Sequence, residues 1–328
     1  MLMNPIRHWA TAFLVGMCAW SSLWAQGFPN KPVTLMVPYP AGGVSDVIAR
    51  TLNNTLAKHL GQPVIVENLG GASGGIAAQK VLSSPADGYI IFQGSPNELI
   101  LAPLSNAAIK YKPEDFRLVQ MITINPMAVL ARKDLPVSNG DELVAYAKKS
   151  AASGTPMTYA SVGPGSMYHL LGEHMSKLTG VDMTHVPYKG VGPLMSDLMA
   201  GRLQIFFSSA SAALAQIKGG KLKALAVTST HRMKSLPHVP TVSESGLTGF
   251  SHTLWGGLFA PAGTPARIID SLNADVNAIL SHPELKARLE ADNLAVAANT
   301  PAEFALFVQT EAQKFEKLLR DADLKSLP

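Results

Sequence analysis

The segment Val37-Pro38-Tyr39-Pro40-Ala41-Gly42-Gly43-Val44-Ser45-Asp46 decides the fold of this chain. It joins an apolar run, Val33 to Val37, to an amphipathic run from Val47 to Leu60, which predicts a buried strand that turns through glycine into a helix. The glycines let a ligand approach the backbone closely. The N–H groups at the start of the helix, together with the helix dipole, favour a bound anion. We therefore expect this loop to hold one end of a small carboxylate.

The composition is typical of a large globular protein with more than one domain. Of 328 residues, 47% are hydrophobic and 15% are charged, which provides a sizeable core and excludes a disordered chain or a coiled coil. The net charge is +4, and the Lys and Arg residues are scattered rather than clustered. We therefore expect no nucleic-acid partner, whereas a small anionic ligand is compatible with the charge.

The first 25 residues have the pattern of a secretory signal peptide. Arg7 is the only charged residue before Lys31, a short apolar segment runs from Trp9 to Trp20, and Ala25 is a small residue suited to cleavage. The alternatives are an uncleaved anchor and, because of Cys18, lipoprotein processing. Cleavage after Ala25 predicts a periplasmic protein. It would contain no cysteine, because Cys18 is the only one, and hence no disulfide or cysteine-based metal site.

Strand and helix patterns alternate along the rest of the chain and predict two doubly wound α/β domains with a ligand cleft between them. The pattern restarts after a long extended stretch from Leu118 to Arg132, and the chain returns through a second stretch from Gly249 to Phe259. We predict that domain 1 comprises residues 26–125 and 250–328, and that domain 2 comprises residues 126–249.

A second glycine-containing loop, Ser161-Val162-Gly163-Pro164-Gly165-Ser166, resembles the first. It follows a predicted strand and places Ser166 at a helix N-cap. Ligands of doubly wound domains bind at the carboxyl ends of the strands, so the two loops are expected to face each other across the cleft. The alternative is that Ser166 only caps its own helix.

The sequence offers little support for an enzyme. Ser166 lies close to His169, but the second glycine of a nucleophile elbow is missing. His169 and His174 are five residues apart and do not converge on a metal ion. The segment Gly70–Gly75 lacks the Lys-Ser/Thr that completes a P-loop. We predict no catalytic residue, metal or cofactor, and an exported α/β hydrolase that uses Ser166 remains the alternative.

A set of motifs runs in order through nearly the whole mature chain. These motifs are Lys31 to Asp46, Val66-Glu67-Asn68, Ala86-Asp87-Gly88-Tyr89, His185 to Gly190, Gly219 to Thr228, Pro240-Thr241-Val242 and Ala260 to Pro265. Each motif is modest, but together they closely resemble the Bug family. The members of that family are periplasmic substrate-binding receptors of tripartite tricarboxylate transporters.

The resemblance implies a type II-like periplasmic binding protein that closes like a clamshell around a di- or tricarboxylate, an amino acid or an aromatic acid. It also implies that backbone N–H groups of both domains hold one carboxylate. By matching position, the expected ligand-binding residues are Tyr39, Ala41, Gly42, Gly43 and Asp46 in domain 1, and Ser161, Gly165 and Ser166 in domain 2. Tyr188 and Lys189 belong to a domain 2 loop near the cleft, where Lys189 is expected to be structural or exposed.

The residues expected to determine ligand identity are Ser95, Asn97, Glu98 and Ser208. Members of the family usually carry small hydroxyl or amide residues after the third strand, and this chain departs from that pattern in the segment Gly94-Ser95-Pro96-Asn97-Glu98, where Glu98 is negatively charged. If Glu98 points into the cleft, it would repel a second carboxylate and favour an amine, an amide or a protonated ring nitrogen. If it points outward, it carries no information about the ligand. A small residue at Ser208 would leave room for a bulkier ligand.

These observations predict a periplasmic solute-binding receptor for a small organic carboxylate. Ligand binding would close the two domains about the crossings near Asn125 and Phe250. The closed form, expected to be a monomer, would deliver the ligand to the membrane subunits of a tripartite tricarboxylate transporter. A ligand sensor that feeds a two-component sensor kinase is a further alternative.

Overall fold

The computed structural model describes residues 27–245, 250–291 and 298–321, so the predicted signal peptide lies outside the described residues. Within those ranges the strands are β1 Val33–Val37, β2 Val64–Asn68, β3 Ile90–Gly94, β4 Phe116–Arg132, β5 Thr158–Ser161, β6 Thr184–Pro187, β7 Ile205–Ser209, β8 Leu222–Val227 and β9 Thr253–Pro261. The helices are α1 Val44–Leu60, α2 Gly75–Leu82, α3 Ala102–Ser105, α4 Gly140–Ala152, α5 Met167–Thr179, α6 Val191–Met199, α7 Ala210–Lys218, α8 Ala266–Leu280, α9 Pro283–Ala291 and α10 Pro301–Asp321.

Two α/β domains share the long strand β4. In domain 1 the strand order is β2-β1-β3-β9-β4, with β1 parallel to β2 and β3, and β9 antiparallel to β3 and β4. In domain 2 the order is β6-β5-β7-β4, and β8 pairs with β4. β4 pairs with β9 as far as Pro126, and from Met127 onward it pairs with β7 and β8. The predicted fold class is confirmed.

Helix α1 shows how the sequence pattern forms domain 1. Its residues Ile48, Leu52, Leu56 and Leu60 are buried, because a spacing of four places them on one face of the helix. Gly61 ends the helix at φ 65°, a left-handed conformation that glycine adopts without strain. The helix begins at Val44, three residues before the predicted start.

Capping residues define the starts of α4 and α10. The sequence predicts Ser138 as the cap of α4, but the cap is Asn139, whose Oδ1 accepts the N–H of Glu142 at 2.9 Å. The Glu142 carboxylate in turn accepts the N–H of Ser138 at 2.7 Å, so the reciprocal arrangement exists one residue later than predicted. At α10 the pattern Thr300-Pro301-Ala302-Glu303 predicts a capping box, and Thr300 and Glu303 form one.

The C-terminal helix covers the crossing strands. Trp255 of β9 is fully buried and packs edge-on against Phe304 and Phe307 of α10, with ring centroids 5.7 and 5.6 Å apart. This packing places the last helix behind the point where the chain passes between the domains. In the described part of the chain, no helix is both long and apolar enough to cross a bilayer.

Candidate ligand-binding site

A cavity of about 220 Å³ lies between the two domains. Its walls are the loop before α1, the end of β3, the crossing strands β4 and β9, the start of α6 and the end of β7. Of the residues predicted to bind ligand, those that line it are Tyr39, Ala41, Gly42, Gly43, Ser95, Asn97, Glu98 and Ser208. Among the described residues that line it there is no Lys, Arg or His, so no lining side chain brings a positive charge.

The start of α1 is open to the cavity. Gly43 occupies the N-cap position and no side chain caps the helix, while Gly43, Val44 and Ser45 all line the cavity. The first N–H groups of a helix have no acceptor within the helix, and the helix dipole makes this end positive. The start of α1 can therefore receive an anion, as the sequence predicts.

Asp46 holds the loop rather than lining the cavity. Its carboxylate accepts the N–H of Gly42 at 2.9 Å and the Nε–H of Arg50 at 2.9 Å. Burial alone would raise the pKa of Asp46, but the hydrogen bonds from Arg50 and Gly42 outweigh it and lower the pKa. The ionised carboxylate keeps Gly42 at φ 82° and fixes the shape of the turn. Asp46 is not brought to the cavity wall as predicted, because its oxygens are already occupied.

The start of α6 forms the domain 2 wall opposite α1. Gly190 is its N-cap, again with no side-chain cap, and the cavity is lined by Gly190, Val191, Gly192 and Pro193. Gly190 packs on the first loop, since a Cβ there would lie 3.5 Å from Pro40. The cavity is therefore bordered by the uncapped N-termini of two helices, α1 of domain 1 and α6 of domain 2. The sequence places the loop before this helix near the cleft, through Tyr188 and Lys189, but predicts no ligand-binding residue from Gly190 to Pro193.

The loop predicted as the domain 2 clamp is satisfied internally. The Ser161 hydroxyl accepts the N–H of Gly163 at 3.0 Å, and the Ser166 hydroxyl donates to the carbonyl of Gly163 at 2.7 Å and caps α5. The N–H of Gly165 donates to Nδ1 of His169 at 3.0 Å. Ser161, Gly165 and Ser166 do not line the cavity, because their polar groups are used within the loop and at the start of α5. In the structure, Ser166 therefore caps its own helix, which is the alternative that the sequence leaves open.

Asn97 connects the two domains. Its Nδ2 donates to the Tyr39 hydroxyl at 2.9 Å, and its Oδ1 accepts the N–H of Met167, the first residue of α5, at 2.7 Å. A second connection runs from the Ser73 hydroxyl to the carbonyl of Pro164 at 3.2 Å. Asn97 therefore both lines the cavity and bonds to the opposite domain.

Glu98 lies inward, fully buried at the cavity wall. Its Oε2 accepts the N–H and the hydroxyl of Ser95 at 2.7 and 2.8 Å. Its Oε1 lies against the Cα of Gly74, where a Cβ would clash with it. Burial raises the pKa of Glu98 to about 7, although interactions with Tyr39 and Ser95 oppose the rise. Of the two orientations considered for Glu98, the structure therefore contains the inward one.

Several lining residues were not predicted. Gln93 at the end of β3 donates through Nε2 to the carbonyl of Ser45 at 2.8 Å and so fixes the start of α1 against the sheet. Asn125 on β4 and Trp255 on β9 line the crossing side. A polar residue within an otherwise apolar strand is a signal that could have identified Gln93 and Asn125. The predicted Ser208 lines the opposite wall, where its hydroxyl donates to the carbonyl of Ser209 at 3.2 Å.

A wider groove of about 750 Å³ lies outside the cavity. It is bordered by Gly70 to Gly74 of domain 1 and by Val162 to Pro164, Tyr188 and Lys189 of domain 2. Tyr39 and Pro40 border both the groove and the cavity. Lys189 is exposed and belongs to this outer groove, not to the cavity.

Comparison with known proteins identifies the family. Residues 48–324 match the family described as tripartite tricarboxylate transporter family receptor. The chain belongs to this family. The tripartite tricarboxylate transporter receptors are periplasmic solute-binding proteins, and the predicted resemblance to the Bug receptors is confirmed.

Two relatives illustrate the similarity within this receptor family. The UPF0065 protein in the TAR-I ttuE-ttuC' intergenic region of Agrobacterium vitis is 37% identical over 320 residues, covering 96% of this chain and 91% of the relative. Protein BugT of Bordetella pertussis is 34% identical over 303 residues, covering 92% of each chain.

Solved receptor structures agree in fold. Rpa4515 of R. palustris with adipate superposes with a TM-score of 0.86 at 33% identity, covering 92% of this chain and all of that one. MatC (Rpa3494) from Rhodopseudomonas palustris with bound malate gives a TM-score of 0.83 at 32% identity, covering 89% of this chain and all of that one. Both neighbours are binding proteins that hold a carboxylate.

Proposed function

We propose that this receptor captures a small organic carboxylate in the cavity between its domains and delivers it to a tripartite tricarboxylate transporter. The observation that carries the proposal is the pair of uncapped helix starts, Gly43-Val44 and Gly190-Val191, that border one cavity. Backbone N–H groups at two positive helix ends favour a bound anion. The carboxylates held by the two receptor structures support the same ligand class.

Closure of the domains would enclose the ligand. We place one domain boundary at residues 125/126, next to the point where β4 exchanges β9 for β7 as its partner, and the other at residues 249/250, before β9. The bonds from Asn97 to Met167 and from Ser73 to Pro164 span the cleft and would form on closing. A hinge in the crossing strands would break these bonds and expose the cavity.

The same proposal covers location and partners. The signal peptide predicted in residues 1–25 would direct the chain to the periplasm, where the binding proteins of the family act. The membrane subunits of the transporter would receive the closed form, and the receptor would act as a monomer.

We assign no catalytic activity to the protein. The hydrolase alternative needs Ser166 as a nucleophile, but its hydroxyl is fully buried and donates to the carbonyl of Gly163. His169, the nearest candidate base in sequence, uses Nδ1 to accept the N–H of Gly165. This arrangement supports a structural role for both residues.

Proline substitutions at the two helix starts test the binding site directly. Val44→Pro and Val191→Pro each remove one N–H at the first position of a helix, a position that tolerates proline. The preceding glycines have extended backbones, with ψ 170° at Gly43 and 173° at Gly190, which suits the residue before a proline. We expect both variants to fold and to lose most of the thermal stabilisation that carboxylates confer on the wild type.

Ala266→Pro is the matched control. Ala266 is the exposed first residue of α8, away from the cavity, so this change also removes one N–H at a helix start. The control is expected to retain full ligand-induced stabilisation in a screen of carboxylates, amino acids, amides and aromatic acids. If Val44→Pro and Val191→Pro bind the same ligands as strongly as Ala266→Pro does, the anion site lies elsewhere.

A further inference from the structure

Unpaired hydrogen-bond acceptors border the cavity. Among the described residues that line the cavity, three buried acceptors have no partner, namely Oε1 of Gln93, Oε1 of Glu98 and Oδ1 of Asn125, against one unpaired buried donor, Nε1 of Trp255. The orientation of the Gln93 amide follows from its Nε2, which donates to the carbonyl of Ser45 and leaves the oxygen as the free atom. Buried polar atoms are normally paired, so three acceptors against one donor favour a ligand that brings more donors than acceptors to this wall.

We propose that the ligand carries, besides its carboxylate, a hydrogen-bond donor, above all an ammonium group, which Glu98 and the amide oxygens of Gln93 and Asn125 bind. This inference rests on the proposed function, because the carboxylate is assigned to the starts of α1 and α6. A second carboxylate could accept the N–H of Trp255, but it would leave the three acceptors unpaired and would bring a like charge next to Glu98. The receptor therefore selects zwitterionic or amide-bearing acids against dicarboxylates of the same length.

No Lys, Arg or His of the described residues faces Glu98 and could supply the positive charge in place of a ligand. The groups that face it are Tyr39 of the first loop, whose hydroxyl interacts with the carboxylate, the Tyr168 ring of α5 and Tyr111, whose hydroxyl donates to the Glu98 carbonyl at 2.7 Å. Burial raises the pKa of each of these tyrosines, so all three are neutral at physiological pH. A ligand ammonium would supply the charge that a buried carboxylate needs.

Ligands of matched length test the selection by isothermal titration calorimetry. One set comprises γ-aminobutyrate, succinate and butyrate. A longer set comprises ε-aminocaproate, adipate and caproate, and it also includes norleucine, in which the amine lies next to the carboxylate. In each set the wild type is expected to bind the amino acid at least about tenfold more tightly than the dicarboxylate, as a charge-assisted hydrogen bond implies.

Glu98→Gln is the matched variant, since it keeps the shape and removes the charge. We expect it to lose at least about tenfold in affinity for the amino acids, to gain affinity for the dicarboxylates and to bind butyrate and caproate as the wild type does. Dicarboxylates that bind the wild type as tightly as the amino acids, or a Glu98→Gln variant with an unchanged order of preference, would overturn the inference.

Whether the protein releases or takes up protons when it binds ligand gives an independent readout. Because the pKa of Glu98 is raised to about 7 by burial, about half of the carboxyl groups carry a proton at pH 7. An ammonium ligand favours the ionised form and should release about half a proton per bound ligand, measured from the binding enthalpy in buffers of different ionisation enthalpy. Uptake of protons with ε-aminocaproate, or release that persists in Glu98→Gln, would contradict the assignment.

Failure of this inference is distinguishable from failure of the proposed function. If the amino acids, dicarboxylates and monocarboxylates all bind without the expected order and Val44→Pro abolishes binding, the carboxylate site stands and the donor requirement is wrong. If none of them binds, both proposals fall.

Discussion

Glu98 should make the ligand-free protein less stable as the pH rises from 5 to 8. Its pKa in the folded protein is about 7 because of burial, compared with an ordinary value of 4.5. A carboxyl group with a raised pKa binds its proton more tightly when folded, so its stabilising contribution is complete below pH 4.5 and is lost as the pH passes through about 7. Linkage then predicts that the free energy of unfolding falls by about 2.5 kcal/mol between pH 5 and pH 8.

The measurement is urea denaturation of wild type and Glu98→Gln at both pH values, without ligand. Because Gln resembles the protonated acid and does not titrate, the variant should lack this decrease and should exceed the wild type most at pH 8. Glu114→Gln makes the same chemical change on the exposed turn before β4, where solvation keeps the effect on stability small. If wild type and Glu98→Gln lose stability in parallel, the buried carboxyl group is not the source of the pH dependence, and the reasoning is refuted.

Three further predictions concern the structure around the cleft. Asn97→Ala removes two buried hydrogen bonds and should lower the free energy of unfolding by about 2 kcal/mol in urea denaturation. Gly172→Ala places a Cβ against the ring of Tyr159 and should cost about 1–3 kcal/mol in the same assay. Burial lowers the pKa of His169 to about 3 and of His185 to about 4, so stability that is complete above about pH 6.5 should be lost in acid titrations as the pH falls towards 4.

Each of these predictions has a contrary outcome. Gly192→Ala meets no atom within 4 Å and should be tolerated, so equal losses at Gly172 and Gly192 would contradict the packing explanation. An Asn97→Ala variant as stable as the wild type would show that the bridge to Met167 contributes nothing. For the histidines, whose rings stack 3.8 Å apart, a His185→Gln variant with undiminished acid sensitivity would assign the effect to other groups.

The order of the elements could be predicted because it depends on local patterns. Helix α1 is an example. Its apolar stripe from Ile48 to Leu60 lies in one stretch of chain with Gly61 and Pro63, which end it, and the structure contains this helix. The capping box at Thr300 and Glu303 is likewise local. The family motifs add the pairing of the domains, which no local pattern specifies.

The composition of the cavity wall was harder to predict, because it depends on which turns the two sheets bring together. The sequence favoured Ser166, whose hydroxyl and neighbouring glycines look like an anion clamp, over Gly190, whose turn offers only backbone. Gln93 reaches the cavity because β3 pairs with β1, which leads into the first loop, and Asn125 reaches it from the crossing strand β4, so both depend on residues far apart in sequence. Only the strand order places them there.

A difference in capping separates the domain 2 turn that we propose as an anion site from the turn that does not line the cavity. Ser166 is a good N-cap, because its hydroxyl accepts the N–H of His169. Asn97 accepts the N–H of Met167 as well, so the first N–H groups of α5 are partly satisfied. Gly43 and Gly190 have no side chain to offer, so the donors behind them remain for a ligand. Where a strand-to-helix turn borders a cleft, a strong side-chain cap therefore indicates that the start of the helix has a structural role. A glycine at the cap position indicates that the start of the helix can bind a ligand.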